Sequence, residues 1–314
     1  MREVAITGLG MVTPLGTTAA ETVSAWGRGE SMRTAPLPAL SNTPLAGSPV
    51  AFLPEFDAAE RLGGRRMLKF MSDGAVLGCV AAREAVTQAN ARERFAPERI
   101  GLFAATGLAA ADMDQVGRLI ENSTDDEGKF SCRLFGEKGL AAINPLTSFR
   151  ILANMPACIV SILEGIKGPN CILTPWESQA GQALREAWLA VGEGEADCAV
   201  TGGEDSPANL SSFVYLRQAG WLRENEAPAN AGAYLVLELL ERALESGQKV
   251  LAVIKDVTVS RESAGGDPLA ERVGRTFAAA PFIMAGLACH HADAPLSIAG
   301  ADGWTVSIML ERTT

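Results

Sequence analysis

The residues best placed to do chemistry follow Lys167-Gly168-Pro169-Asn170. Cys171-Ile172-Leu173-Thr174 is a short apolar run that reads as a buried strand, and Pro175-Trp176-Glu177 reads as a corner. The residues after it read as a helix with Leu184, Ala187, Trp188 and Val191 on one side. A strand, corner and helix in that order present side chains at a helix N-terminus. Free backbone N–H groups and the helix dipole there favour an anion, an oxyanion or a thiolate, so it is a natural seat for a nucleophile.

The other reactive residue types form no comparable constellation. His290 and His291, near Asp293, are the only histidines. They lack a further ligand at metal-site spacing, so no metal is expected. Cys79, Cys132, Cys158, Cys171, Cys198 and Cys289 are scattered, form no CxxC pair and mostly sit in apolar runs. Buried free thiols are the expectation, rather than disulfides or zinc ligands. Gly8 and Gly10 suggest a dinucleotide turn, but no third glycine stands at the fingerprint spacing and Pro14 interrupts the following helix. No cofactor is expected.

The elements that must position the corner alternate between strands and helices. Glu3–Thr7 reads as a strand, Gly8-Leu9-Gly10 as a tight turn, and Thr18 with Glu21 as a capping box for a helix reaching Gly27 or Gly29. Residues 36–54 carry five prolines and read as an irregular connection. Arg65–Ala89 reads as one long helix, Ile100–Thr106 as a buried strand, and Ala109–Ile120 as a helix with Met113, Val116 and Ile120 on one stripe. The ordinary reading of such a stripe is core packing. Ser123–Lys138 is a charged excursion, and Pro145–Gly165 a mostly apolar helix.

Beyond the corner, Asp197–Thr201 reads as a strand ending in Gly202-Gly203, Phe213–Leu222 as a helix, and Ala233–Leu240 and Val250–Ser260 as strands around a Leu240–Glu245 helix. A Gly-rich loop at Ala264–Asp267 leads into a helix expected over Leu269–Cys289, then strands at Leu296–Ala299 and Thr305–Leu310. The alternation runs fully once and sketchily a second time, which argues an α/β protein of two unequal parts, 1–245 and 246–314, in one compact unit.

A chain of 314 residues is long enough to bury a large core. Its net charge of −10 argues against a nucleic-acid surface, which needs clustered Lys and Arg. The N-terminus passes straight into a strand without a signal-peptide pattern, and no apolar run is long enough to span a bilayer. A cytoplasmic, reducing setting is therefore expected.

Several motifs agree in order and spacing: Val4-Ala-Ile-Thr-Gly-Leu-Gly-Met-Val-Thr-Pro-Leu-Gly16, Trp26 with Gly29, Asn154-Met155, Gly165-Ile-Lys-Gly-Pro-Asn170, Ala196-Asp197, Gly202-Gly203 and Leu235-Val-Leu-Glu238. Together they resemble the β-ketoacyl-[acyl-carrier-protein] synthase family, of thiolase fold. The resemblance implies a five-layer αβαβα architecture of two pseudo-repeated halves, here with the C-terminal half truncated. It also implies a dimer and decarboxylative Claisen condensation of acyl and malonyl thioesters on a carrier protein. The family's catalytic set is a cysteine at the corner and two histidines in the second half.

This chain departs from that set throughout. Counting from Asn170, the cysteine position falls on Glu177, or on Trp176 if the corner shifts by one. The segment of the first histidine is missing, and Arg275 in Gly274-Arg275-Thr276 stands where the second would open a helix. The helix dipole alone would stabilise the Glu177 carboxylate by about 0.3–1 kcal/mol, making it a weaker base and nucleophile. Glu177 is thus expected to be structural or gating, with Arg275 as a guanidinium close enough to pair with it.

The resemblance narrows further to a shortened, cysteine-less chain-length-factor-like subunit, as in aryl polyene and type II polyketide systems. Such a subunit pairs with an active ketosynthase, as a heterodimer or heterotetramer, with no catalytic residue of its own. Cys171, Ile172, Leu173 and Thr174 are then expected at the dimer interface, and Met113, Val116 and Ile120 at the partner's acyl tunnel. An acyl carrier protein is itself acidic and would dock mainly on that partner. The missing part of the second half is expected to leave apolar core or a sheet edge uncovered. Two alternatives stay open: a condensing or malonyl-decarboxylating enzyme using Glu177 or Cys171, and a homodimeric acyl-binding scaffold.

Overall fold

The computed structural model describes residues 2–108, 112–261 and 266–313. The first residues of the helix expected from Ala109, and Ala264 and Gly265 of the Gly-rich loop, lie outside the described residues. The strands are β1 (Val4–Val12), β2 (Thr34–Pro36), β3 (Pro49–Ala51), β4 (Ile100–Thr106), β5 (Asn170–Leu173), β6 (Cys198–Asp205), β7 (Ala231–Leu239), β8 (Ala252–Ser260), β9 (Ser297–Ala299) and β10 (Thr305–Arg312). Among the described residues, β2 and β3 form a small ribbon and the rest one sheet in the order β5-β4-β6-β7-β1-β8-β10-β9. Only β4 pairs in parallel, with β5 and with β6. All other neighbours are antiparallel.

β1 runs on through Gly8-Leu9-Gly10 where a turn was expected, with a bulge between Ile6 and Gly8. The glycines serve packing instead. A Cβ on Gly10 would lie 1.9 Å from the Ala81 carbonyl oxygen, and one on Gly8 2.3 Å from that of Ala85. Both carbonyls belong to the Asp73–Gln88 helix, which lies directly on β1. That helix starts at Ser72, whose hydroxyl accepts from the Ala75 N–H. The stretch before it, expected to be helical from Arg65, holds only a 3-10 turn at Leu68–Phe70.

The corner helix, Glu177–Glu193, lies between two portions of the sheet. It touches β4, β5 and β6 on one side and β8 and β10 on the other. The approach is close: a Cβ on Gly181 would lie 2.6 Å from a Val306 methyl. Leu184, Ala187 and Val191 are fully buried there with Val4, Ile6, Ile254, Val257, Val306 and Ile308. Truncating Leu184 to Ala in such a core costs about 2–5 kcal/mol. The second helix of this layer is only Ala280–Ala288, apolar on every side and wholly buried. The helix expected over Leu269–Cys289 is thus broken: Gly274 has φ +92° and a 3-10 turn follows at Phe277–Ala279. Pro145–Gly165 likewise divides into Thr147–Ile151 and Met155–Glu164.

The outer surface of β8 and β10 corrects the expectation of an uncovered apolar core. Val306 and Ile308, paired with Val259 and Val257, point inward, so Ser307 and Thr258 point out. Ser307 Oγ lies 2.9 Å from Ser297 Oγ, and Thr258 Oγ1 donates to Asp256 at 2.9 Å. Polar side chains satisfy one another on this face, with Met309 the large apolar exception at 60% exposure. On this side the sheet ends at the three-residue edge strand β9.

Candidate functional site

β5 is an edge strand, so the run read as buried is only half-buried along Cys171, Ile172 and Leu173. Cys171 and Leu173 pack toward the corner helix, and Ile172 toward the opposite core. Thr174 is exposed and lies outside the strand. Trp176 then caps the helix in an extended conformation, its N–H donating to Gln179 Oε1 at 3.2 Å. Glu177 is the first helical residue, with no exposed surface.

Glu177 and Arg275 meet. Arg275 Nη2 donates to Glu177 Oε1 at 2.9 Å, and the Ala301 N–H donates to Glu177 Oε2 at 3.1 Å. Arg275 Nε also lies 3.5 Å from Asp267 Oδ2, and Nη1 lies 3.8 Å from Glu226 Oε1. One buried guanidinium therefore faces three carboxylates from three separate segments. Next to them, the Ser178 hydroxyl donates to Asp302. A pocket of about 140 Å³ lies beside the cluster, lined by Trp221, Arg223, Glu226, Asp267, Arg275 and Ala301.

Burial decides the electrostatics. It pushes the Glu177 carboxyl up from 4.5 to about 7, against the lowering effects of Arg275 and the backbone N–H groups. Asp267 rises from 3.8 to about 6 for the same reason. The expectation from the helix dipole alone is thus reversed, because desolvation of a fully buried carboxylate outweighs a dipole effect of about 1 kcal/mol.

Aromatic rings close the approach to the corner. Trp176 packs edge-on against Trp221, with centroids 4.4 Å apart, and against Phe277 at 6.0 Å. Tyr215 extends the group outward from Trp221 at 5.4 Å. Glu177 is therefore sealed by an ion pair beneath and aromatic packing above. A carboxylate near 7 has the acidity of a general base, but both its oxygens are engaged and neither reaches a substrate-sized space.

Cys171 offers no activated thiolate: burial and the Glu186 carboxylate push its thiol up. Burial also pushes the thiols of Cys79 and Cys198 well up, and that of Cys289 to about 12. His291 Nε2 lies 2.9 Å from the Val23 carbonyl oxygen, a packing contact. Among the described residues no three potential ligands are gathered for a metal ion.

The stripe residues fall elsewhere, on the helix Met113–Asn122, capped by Asp112. None of its residues is buried, so core packing is not what orders the stripe; Met113 is 47% and Ile120 52% exposed, and Val116 is intermediate. Met113 lines a cavity of about 380 Å³ with Asp73, Asp112, Asp114 and Arg150 among its polar walls. Most other exposed large apolar side chains also belong to this part of the chain, including Phe130, Leu140, Phe149, Leu152 and Ile162. The structure thus brings Glu177, Trp176 and Arg275 together and keeps Met113, Val116 and Ile120 apart from them. Sequence reasoning missed Glu226 and Asp267 as partners of Arg275, 49 and 8 positions away, because no local pattern marks either pairing.

Comparisons with known proteins agree with this architecture. The model of the beta-ketoacyl synthase N-terminal domain matches residues 1–233. The 3-oxoacyl-[acyl-carrier-protein] synthase 2 of Mycobacterium tuberculosis (strain ATCC 25618 / H37Rv) is 26% identical, the match covering 91% of this chain and 69% of that protein. Nodulation protein E of Rhizobium meliloti is 27% identical over 83% of this chain and 64% of its own length. The chain therefore spans about two thirds of such relatives. The ishigamide ketosynthase/chain length factor superposes with a TM-score of 0.77 at 16% identity, covering 100% of both chains. A type II PKS acyl-carrier protein in complex with its ketosynthase does so with a TM-score of 0.76 at 14% identity, also covering 100% of both. These structures establish the thiolase-like ketosynthase fold. With that fold and a family match over residues 1–233 of 314, the chain belongs to the β-ketoacyl synthase family.

Proposed function

We propose that this chain is a non-catalytic, chain-length-factor-like subunit of fatty-acid or polyketide synthesis, aryl polyene synthesis among the candidates. It pairs with an active ketosynthase and shapes that partner's acyl tunnel. The observation that carries the reading is the sealed corner. Where the family resemblance places a cysteine and a histidine, this chain holds the buried Glu177–Arg275 pair, 2.9 Å apart under Trp176. Neither residue can form or accept an acyl thioester.

The surroundings support a partnered role. β5 leaves one edge unpaired beside half-buried apolar side chains, and the Met113–Asn122 helix exposes its apolar stripe. With a net charge of −10, the chain suits an acidic acyl carrier protein poorly, so the ketosynthase would provide that docking surface. Among the described residues no helix is long and apolar enough to cross a membrane. The test is co-expression with the ketosynthase encoded beside it, followed by co-purification and a condensation assay with and without this chain. Formation of a complex whose product length depends on this chain is expected. A ketosynthase that neither binds it nor changes its product overturns the reading.

One observation favours a second reading. A Glu177 carboxyl held near 7 by burial has the acidity of a general base, provided a substrate displaces the aromatic cover without admitting water. Turnover of malonyl-carrier protein by this chain alone, abolished in Glu177→Gln, would establish that enzyme instead.

A further inference from the structure

The ionisable groups around Arg275 outnumber what one guanidinium can balance. Glu177 from the corner helix, Asp267 from the loop before Leu269, and Glu226 from the connection after the Leu210–Gln218 helix all face it. Glu177 and Asp267 have no side-chain exposure, Glu226 has 15% and Arg275 has 7%. Only Glu177 receives a hydrogen bond from the guanidinium; Asp267 Oδ2 and Arg275 Nε are both buried without one. The other charged groups nearby do not correct the imbalance. Asp302 is held by Ser178, Asp205 lies deeper and is disfavoured as an anion partly by Glu177, and Arg223 borders the pocket rather than the pair. Fully ionised, the cluster carries three negative charges against one positive, with Glu177 and Asp267 wholly buried.

We infer that this cluster is a proton-controlled latch: with one carboxyl protonated it locks the corner helix to the segments at 267–276 and 300–302, and loss of that proton loosens them. The closed form carries the proton because a buried cluster with excess negative charge takes one up. The values near 7 for Glu177 and 6 for Asp267 follow from the same burial. Once loosened and hydrated, the carboxyls return toward their ordinary range. Opening therefore becomes easier as pH rises from the ordinary carboxylate range to about 7, and levels off above it. The fold supplies the moving parts: the Ala301 N–H is bound to Glu177 itself, and Gly300 lies against the Glu177 side chain. The 140 Å³ pocket gives water a place to enter. The inference does not depend on whether the chain pairs with a ketosynthase.

Hydrogen exchange on the full chain tests it, with rates corrected for intrinsic base catalysis and the Met155–Glu164 helix as internal reference. Release of one proton predicts that the opening equilibrium at 176–180, 267–276 and 299–303 rises by up to about tenfold per pH unit between about pH 5 and about pH 7. The reference helix should show no such rise. Glu177→Gln should flatten the dependence, and Asp267→Asn serves if that variant does not fold. Corrected exchange that is independent of pH in the wild type overturns the latch, as does an unchanged pH dependence in either folded variant.

Discussion

Replacing Glu177 by Gln tests whether burial or the helix dipole governs the corner. Gln removes the titration and keeps one oxygen for Arg275 Nη2, while its NH2 replaces the Oε2 that accepts from the Ala301 N–H. In the folded protein the Glu177 carboxyl stands at about 7 against 4.5 when unfolded, so the folded state binds the proton more tightly. That contribution is fully present below about 4.5 and is lost as pH rises to about 7. At about 1.4 kcal/mol per unit, the wild type should lose about 3 kcal/mol from this group across that window. The variant lacks the loss. Urea unfolding at a series of pH values should therefore show Glu177→Gln near the wild type at about pH 5 and more stable by about 3 kcal/mol at about pH 8. Stability curves that run parallel across the window would refute the reasoning, because the carboxyl would then have an ordinary affinity for protons.

Three further outcomes follow from the same geometry. Arg275→Met strips the only guanidinium from three carboxylates and should cost about 3–5 kcal/mol at neutral pH, with a smaller loss at about pH 5, read by chemical denaturation. Gly10→Ala places a methyl 1.9 Å from the Ala81 carbonyl; it should destabilise by about 3 kcal/mol in thermal unfolding, and an unaltered midpoint would contradict the strand–helix contact. Under the proposed pairing, Met113→Trp or Val116→Trp should shorten the partner ketosynthase's product with little effect on this chain's own stability, since neither residue is buried. Mass analysis of the acyl products checks this, and unchanged product length removes the tunnel assignment.

Elements whose signals are local were legible before the structure. The Ile100–Thr106 strand and the Leu240–Glu245 helix lie where hydrophobic pattern and length put them, and Thr18 caps its helix as its type and spacing require. The corner itself was readable as an apolar run, a proline and a periodic helix. Elements that depend on neighbours were misread. Gly8 and Gly10 look like a turn in isolation, yet they sit inside β1 because a helix backbone presses on them. The apolar stretch from Leu269 looks like one helix because every side of Ala280–Ala288 is buried, which erases the periodicity that would mark its start.

The residue types alone determined which groups stand at the corner: Glu177 and Arg275 occupy the positions where the family resemblance places a cysteine and a histidine, and neither offers a thiol or an imidazole. That reading needs no coordinates, because it concerns which functional groups are present. What the groups do instead was decided by the tertiary structure. It brings Glu226, Asp267 and Arg275 to Glu177 from distant parts of the chain and removes water from them. Burial then reverses the local effect of the helix dipole and gives the corner a proton affinity near neutrality. Desolvation depends on everything packed around a group, so only the folded chain could set it.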